Sequence, residues 1–340
     1  MSHQIRLLAV ALVAALFTTA SFAWGADGHH TVGALADRLI AGTHAEARVR
    51  SLLGGMTLEQ VSTWPDCVKG VNPGQDFAYT SAGKYPECAI FETPAGEAEM
   101  VDYVRRNDSN CPRADHEPSC HSQYHYTDEA IQRQRYRLGD VGTSDHDIVA
   151  AISAAIHVLQ DEPAPAPFDI RNKREALLLL THFAGDIVQP LHVGAIYLDP
   201  DGHVLDPASR AFDPATSTQG GNLALTIRVA TNRPSELLHT TWDDIPAALH
   251  ADHIDNDWLA QARAVPRTPG DIRGWSADWA TESLSQARLA FAELQFEPRK
   301  GKDWTVPLTG RYDDSMAPIK KRQLILGGAH LAQALMAIWP

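Results

Sequence analysis

The chain has 340 residues, with 29 Lys and Arg against 42 Asp and Glu, giving a formal charge of −13. An apolar share of 44% and a charged share of 21% exclude a disordered or collagen-like chain and leave enough apolar residues for a sizeable core. The negative balance excludes broad electrostatic capture of polyanions, so any such substrate would need locally placed cations.

Residues 2–23 carry Arg6, an apolar run from Leu7 to Phe17, and Ser21-Phe22-Ala23 with small residues at its first and third positions. That order is the pattern of a secretory signal peptide, with cleavage expected after Ala23 and a mature terminus at Trp24-Gly25. The run is short for a bilayer span, so a secreted or periplasmic chain without stable membrane association is expected. Cys67, Cys88, Cys111 and Cys120 follow in one stretch. An even number in an exported chain favours two disulfides. Sequence leaves three connectivities open, and Cys67–Cys88 with Cys111–Cys120 close the shortest loops.

Val71–Gln123 reads as an irregular stretch, and Asn107-Asp108-Ser109 within it is a formal glycosylation sequon. Apolar periodicity predicts helices over His146–Gln160, Lys173–Gln189, Pro234–His250, Asp271–Leu294 and Ile319–Ile338. Glu162–Phe168, reading EPAPAPF, is a short stiff connector, and Tyr197–Gly221 is a long loop rich in Asp, Pro, Gly and Ser. Strand alternation is scarce and no internal repeat is present. The expected fold class is mainly α: a single helical domain over residues 24–340 with two long loop insertions.

Sixteen histidines invite a search for metal ligands, and spacing has to select among them. His182 and Asp186 are i,i+4 neighbours on one helical face, with His192 just beyond Pro190. The apolar run Ala176–Leu180 precedes this pair, and a charged Asp in such surroundings is costly unless paired or metal-bound. His239 and Asp243 repeat the i,i+4 spacing on another predicted helix. Imidazole with carboxylate at these spacings suits zinc better than calcium or magnesium. His330 reads as a packed helix residue, and His116, His121, His203, His250 and His253 read as exposed.

Six fragments occur in order: Trp24-Gly25-Ala26-Asp27-Gly28-His29, Ser62-Thr63-Trp64-Pro65-Asp66, Tyr124-His125-Tyr126-Thr127-Asp128, HFAGDIVQPLH over His182–His192, Gly220-Gly221-Asn222, and LLHTTWD over Leu237–Asp243. Together they resemble the S1/P1 nuclease family, exported trinuclear-zinc phosphodiesterases that prefer single strands. The resemblance implies a mostly helical fold of the zinc-dependent phospholipase C and nuclease type, with three Zn²⁺ ions in a cleft. Carried over residue by residue, Asp66, His125, His182 and Asp186 surround one ion of a close pair. The other ion takes the backbone amine and carbonyl of Trp24, His29 and the bridging Asp186. His192, His239 and Asp243 hold the third ion. The W-G-x-x-G-H spacing selects His29 over His30.

The resemblance also implies that Lys69 stabilises the charged phosphate in the transition state, which makes Asp66, Lys69 and Asp186 the catalytic residues. Tyr126 is implied to stack on a base and Asp128 to hydrogen-bond its edge; Asn222 is either a phosphate contact or a plain turn residue. The expected substrates are single-stranded DNA and RNA, cut to 5′-phosphate ends, and 3′-nucleotides, with a monomer as the working form. The spacers before His125 and before Gly220 are longer than in compact members, and Pro65 stands where Ala is common in the family. A zinc-dependent phospholipase C is the alternative, for which the last ligand of the third zinc would be Glu; here it is Asp243. A non-catalytic zinc-binding protein would have lost ligands, and all nine candidates are present.

Overall fold

The computed structural model of the chain describes residues 24–113, 117–209, 217–218, 225–229, 236–301, 303–308 and 310–340. The expected signal peptide, His116 and Asn222 lie outside the described residues. In chain order the helices are α1 (Ala26–Ile40), α2 (His44–Leu52), α3 (Leu58–Val61), α4 (Trp64–Cys67), α5 (Pro94–Asn107), α6 (Cys120–Gln123), α7 (Ile148–Leu159), α8 (Lys173–Asp186), α9 (Leu238–Asp243), α10 (Asn256–Ala264), α11 (Trp275–Phe291) and α12 (Gly310–Ile338).

At the centre lies α8. Its Asn172 cap accepts the Glu175 N–H, and every residue from Glu175 to Asp186 is buried. A helix apolar on all sides has to be internal, and α1, α4, α7 and α12 surround this one. Each of the fully buried leucines Leu177, Leu178 and Leu180 contributes about 1.5–3 kcal/mol relative to exposure. The buried Glu175 is balanced by Arg106, whose Nη2 lies 2.7 Å from Oε2. Because the interior around α8 is packed, the polar residues at its C-terminal end, His182 and Asp186, point into protein rather than solvent.

Several expected elements are corrected. The stretch read as irregular contains α5, capped by Thr93 with Pro94 in its first turn and burying Met100, Tyr103 and Val104. The helix expected over Pro234–His250 is confined to α9, because Pro246 disfavours helical geometry at Ile245 and the chain leaves helix at Asp244. The last helix starts nine residues before Ile319 and runs through Pro318, a residue that on sequence alone marks a helix start. A three-stranded sheet not expected from the sequence places Leu225–Val229 between an antiparallel Glu236–Leu237 and a parallel Trp304–Leu308. Part of the second long loop is also ordered as a hairpin, Tyr197–Leu198 against Val204–Leu205.

Both disulfides join the short-loop pairs, Cys67–Cys88 and Cys111–Cys120, with Cα separations of 5.6 and 5.7 Å. Asn107 of the sequon is fully buried. Its side chain donates to the carbonyls of Tyr103 and Asp169 and accepts the Asp169 N–H, so the folded chain leaves no room for a glycan there. No described helix is long and apolar enough to cross a membrane.

Candidate metal centre

The site is built where the C-terminal end of α8 meets the start of the described chain. Trp24 is fully buried against α1, and two glycines make the approach possible. A Cβ on Gly28 would stand 2.7 Å from Trp24 Cβ, and one on Gly185 would stand 2.8 Å from His29 Nδ1. His29 therefore lies flat against α8, its ring stacked on His182 at 3.8 Å. The short α4 brings in Asp66, and the disulfide at Cys67 fixes the residue beside it. His125 follows α6, whose first residue is held by the second disulfide.

These side chains converge. His125 Nδ1 lies 2.9 Å and His182 Nε2 3.1 Å from Asp186 Oδ2, while His29 Nε2 lies 3.3 Å from Asp186 Oδ1. Asp66 Oδ1 is 3.9 Å from His125 and 3.7 Å from His182. Beyond Pro190, His192 Nε2 faces His239 Nε2 at 2.9 Å, and Asp243 Oδ1 is 3.6 Å from His239 Nε2. Three buried groups could thus each hold a metal ion: His29 with Asp66 and His182, His125 with His182 and Asp186, and His192 with His239 and Asp243. His30 is only half-buried and stays outside all three.

The donor chemistry fits zinc. Two nitrogens bound to one tetrahedral zinc at about 2.0–2.1 Å lie roughly 3.3 Å apart, close to the 3.1 Å between His182 Nε2 and His125 Nδ1. His182 Nδ1 is placed to donate to the Ser62 carbonyl at 2.7 Å and His192 Nδ1 to the His125 carbonyl at 2.8 Å. Each such bond leaves the lone pair on Nε2, the atom aimed into the cluster. Both ring nitrogens of His29 and Oδ1 of Asp186 are buried without a hydrogen-bond partner, a cost that a bound cation would offset.

Electrostatics favours the ligand forms of His29, His125, His192, Asp66 and Asp186, and shifts His182 and Asp243 the other way. Burial, with His182 alongside, lowers His29 to about 4, and burial with Lys69 nearby lowers His125 to about 3. His192 is also lowered by burial. At His182 burial is outweighed by Asp186 and Asp66, which raise it. Burial opposes ionisation of Asp66 and Asp186 too, yet Lys69 and His182 bring Asp66 down to about 2, and His182 and His125 hold Asp186 well below the carboxylate range. Asp243 is raised well above that range by burial.

Residues 24–340 match the family described as S1/P1 Nuclease. The chain belongs to the S1/P1 nuclease family. Among its relatives, Endonuclease 4 of Arabidopsis thaliana is 25% identical over 354 residues, covering 100% of this chain and 97% of its own length. Nuclease P1 of Penicillium citrinum is 24% identical over 327 residues, covering 91% of this chain and 95% of its own. This S1/P1 nuclease is accordingly a phosphodiester hydrolase with nucleic acid as its substrate class.

Around the centre of this nuclease, Lys69 Nζ donates to Asp66 Oδ1 at 2.6 Å. Tyr126 and Asp128 line a cavity of about 370 Å³ together with Thr143, His146, Asp147 and Tyr197. Burial, with Asp147 nearby, raises the Asp128 carboxyl to about 7. An unfolded Asp titrates near ~3.9, so the folded chain holds this proton more tightly. The stabilising effect is full below about pH 4 and is lost as pH rises through the folded value. Asp128→Asn should therefore gain stability over the wild type by a margin that grows from about pH 4 to 8, reaching on the order of 2–4 kcal/mol. Thermal melts across that range check it, and a pH-independent margin contradicts the raised carboxyl.

The isolated histidines divide. His330 is packed in α12 as expected, stacked on Trp279 at 4.8 Å, and His203 and His253 are exposed. His250 is half-buried, beside Asp27. His121, expected to be exposed, is buried, and burial lowers it to about 3; its neighbour Cys120 draws it inward through the disulfide to Cys111. A fourth group, Asp199, Asp201 and His203, carries no distinguishing signal in the sequence. It is an exposed turn in which Asp199 Oδ1 accepts the N–H groups of Asp201 and His203.

Proposed function

We propose that this chain is an exported, monomeric, zinc-dependent endonuclease that hydrolyses single-stranded DNA and RNA to 5′-phosphate ends and also acts on 3′-nucleotides. The observation that carries the reading is the convergence of the three buried His/Asp groups on one end of α8, with a cation, Lys69, at their edge. Asp66, His125, His182 and Asp186 would hold one zinc, Trp24, His29 and Asp186 a second, and His192, His239 and Asp243 a third. When bound, these ions supply Lewis acidity toward phosphate oxygens and an activated water as the nucleophile. They also place positive charge where a polyanion must approach an acidic chain.

The protein's own groups do the rest. Asp186 orients three imidazoles at once, and Lys69 is placed to stabilise negative charge growing on the phosphate. Tyr126 offers a ring on which any base can stack, a sequence-tolerant contact, and Asp128 offers a carboxyl to the base edge. Asn222, on the resemblance alone, is either a phosphate contact or a plain turn residue. Export rests on residues 2–23, with cleavage between Ala23 and Trp24, and on the two disulfides.

Elemental analysis of mature protein should find about three zinc ions per chain. The same preparation should cleave single-stranded DNA, RNA and a 3′-nucleotide but not phosphatidylcholine, and chelator should abolish cleavage. Zinc near one per chain overturns the trinuclear reading, and preferential attack on phosphatidylcholine overturns the nuclease reading in favour of a phospholipase C.

Lys69→Ala should lower kcat by about 100-fold while leaving KM and zinc content near wild type, as loss of a group that acts mainly in the transition state does. Steady-state kinetics with single-stranded DNA checks this; an unchanged kcat returns Lys69 to a surface role.

A further inference from the structure

The third metal group differs from the other two in its support. His182 and Asp186 stand on a central helix of fourteen residues, whereas His239 and Asp243 stand on α9, a helix of six residues with no side-chain cap at its start. A helix that short has no stability of its own. Its last carbonyls also need donors from elsewhere.

Two buried residues from other elements supply what α9 lacks. Gln189, fully buried, donates from Nε2 to Asp243 Oδ1 at 2.8 Å. The orientation of its amide is fixed, because Leu191 N–H donates to Gln189 Oε1 at 2.6 Å, leaving only the NH₂ group to face the carboxylate. Lys320 of α12 donates to the carbonyls of Thr241 at 2.7 Å and Asp244 at 2.5 Å, on either side of Asp243. Its ammonium also lies 5.5 Å from the centre of the Trp242 ring. One residue thus grips the Asp243 side chain and the other the backbone that carries it.

We infer that Gln189 and Lys320 are positioning residues for the third metal position, holding the Asp243 arm where His192 and His239 can share an ion with it; this rests on the zinc reading above. A carboxylate offers about four lone-pair sites, so the bond from Gln189 leaves Asp243 able to ligate while restricting its rotation. Outer partners of this kind commonly set metal affinity by about 10–100-fold. The Gln189 amide suits this role because it donates to the carboxylate without adding charge, and its other end is anchored by the turn that carries His192. The Asp243 side chain and the His192 turn are thereby tied to each other.

The test is zinc content and zinc release in Gln189→Met, Gln189→Glu, Lys320→Gln and Lys320→Arg, each compared with the zinc-loaded wild type. Gln189→Glu keeps the side-chain size and sets a second carboxylate against Asp243, so it should have the larger effect. The expected result is one zinc fewer per chain after dialysis in both Gln189 variants and in Lys320→Gln. In a competition with a chromogenic chelator, one zinc should leave at least about 10-fold faster than in the wild type, while the other two leave at the wild-type rate. Lys320→Arg, which keeps the charge and the donors, should restore the third ion. Three zincs released at wild-type rates in the Gln189 variants overturn the inference. So does loss of all three together with the fold, which assigns these residues to the scaffold alone. A wild type that holds no third zinc overturns the zinc reading itself, and is recognised before any variant is compared.

Discussion

Asp186→Asn is expected to lower the rate on single-stranded DNA by roughly a thousandfold or more and to strip zinc from the paired positions. Asn has nearly the same size, so packing at the end of α8 is preserved and the change is electrostatic. The carboxylate is fully buried, with one oxygen facing His29 and the other shared between His125 and His182. A neutral amide offers one oxygen in place of two and no charge, and its NH₂ group would face ring nitrogens that should be ligating metal. Circular dichroism should match the wild type, elemental analysis should show lost zinc, and single-turnover assays should show lost chemistry. Near-normal rate and zinc content would remove Asp186 from its proposed bridging place.

The second large effect concerns Trp24. A nitrogen inside a peptide bond has no available lone pair, so the Trp24 nitrogen can ligate only once cleavage after Ala23 frees it as an α-amine. A free α-amine titrates at roughly 7.7–8.0, and zinc can displace its proton. The segment is tightly held: Trp24 is buried and the Gly25 N–H donates to the Asp243 carbonyl at 2.9 Å. A protein made with extra residues ahead of Trp24 should fold, lack one zinc and retain a small fraction of activity. Trimming it so that Trp24 comes first, with zinc supplied, should restore both. Equal zinc and equal cleavage of single-stranded DNA before and after trimming would defeat the terminal-amine role, and His30 would be the first replacement ligand to examine.

What could be read in advance follows from the range of the interactions involved. His182 and Asp186 were legible because helical geometry alone puts i and i+4 on one face, and the apolar run beside them marked that face as internal. His29 was legible only through its motif. The structure supplies the reason, since Gly28 and Gly185 leave the space in which Trp24 and His29 reach α8. The α5 helix carried a readable signal, Thr93-Pro94 followed by apolar residues at 100, 103 and 104, and was obscured by the turn-rich sequence around it. The parallel pairing of Leu225–Val229 with Trp304–Leu308 was not legible, because it joins segments far apart in sequence whose local patterns carry no trace of the partner. Nor were the carbonyls of Ser62 and His125 that orient two histidines, since every residue carries one.

The packing of α1 along α12 has a consequence for the order of events in making the protein. The nine candidate ligands lie between residues 24 and 243, yet the helix that bears His29 rests on a wall supplied by α12, which is synthesised after all of them. Contacts of such sequence separation form late, after the loop between them has closed. A polypeptide ending before Gly310 would contain every proposed ligand and still lack the support for the first histidine, as well as the lysine that steadies Asp243. Hydrolysis should therefore switch on only once α12 is in place, and fragments that lack α12 through premature termination or proteolysis should be inert toward nucleic acid.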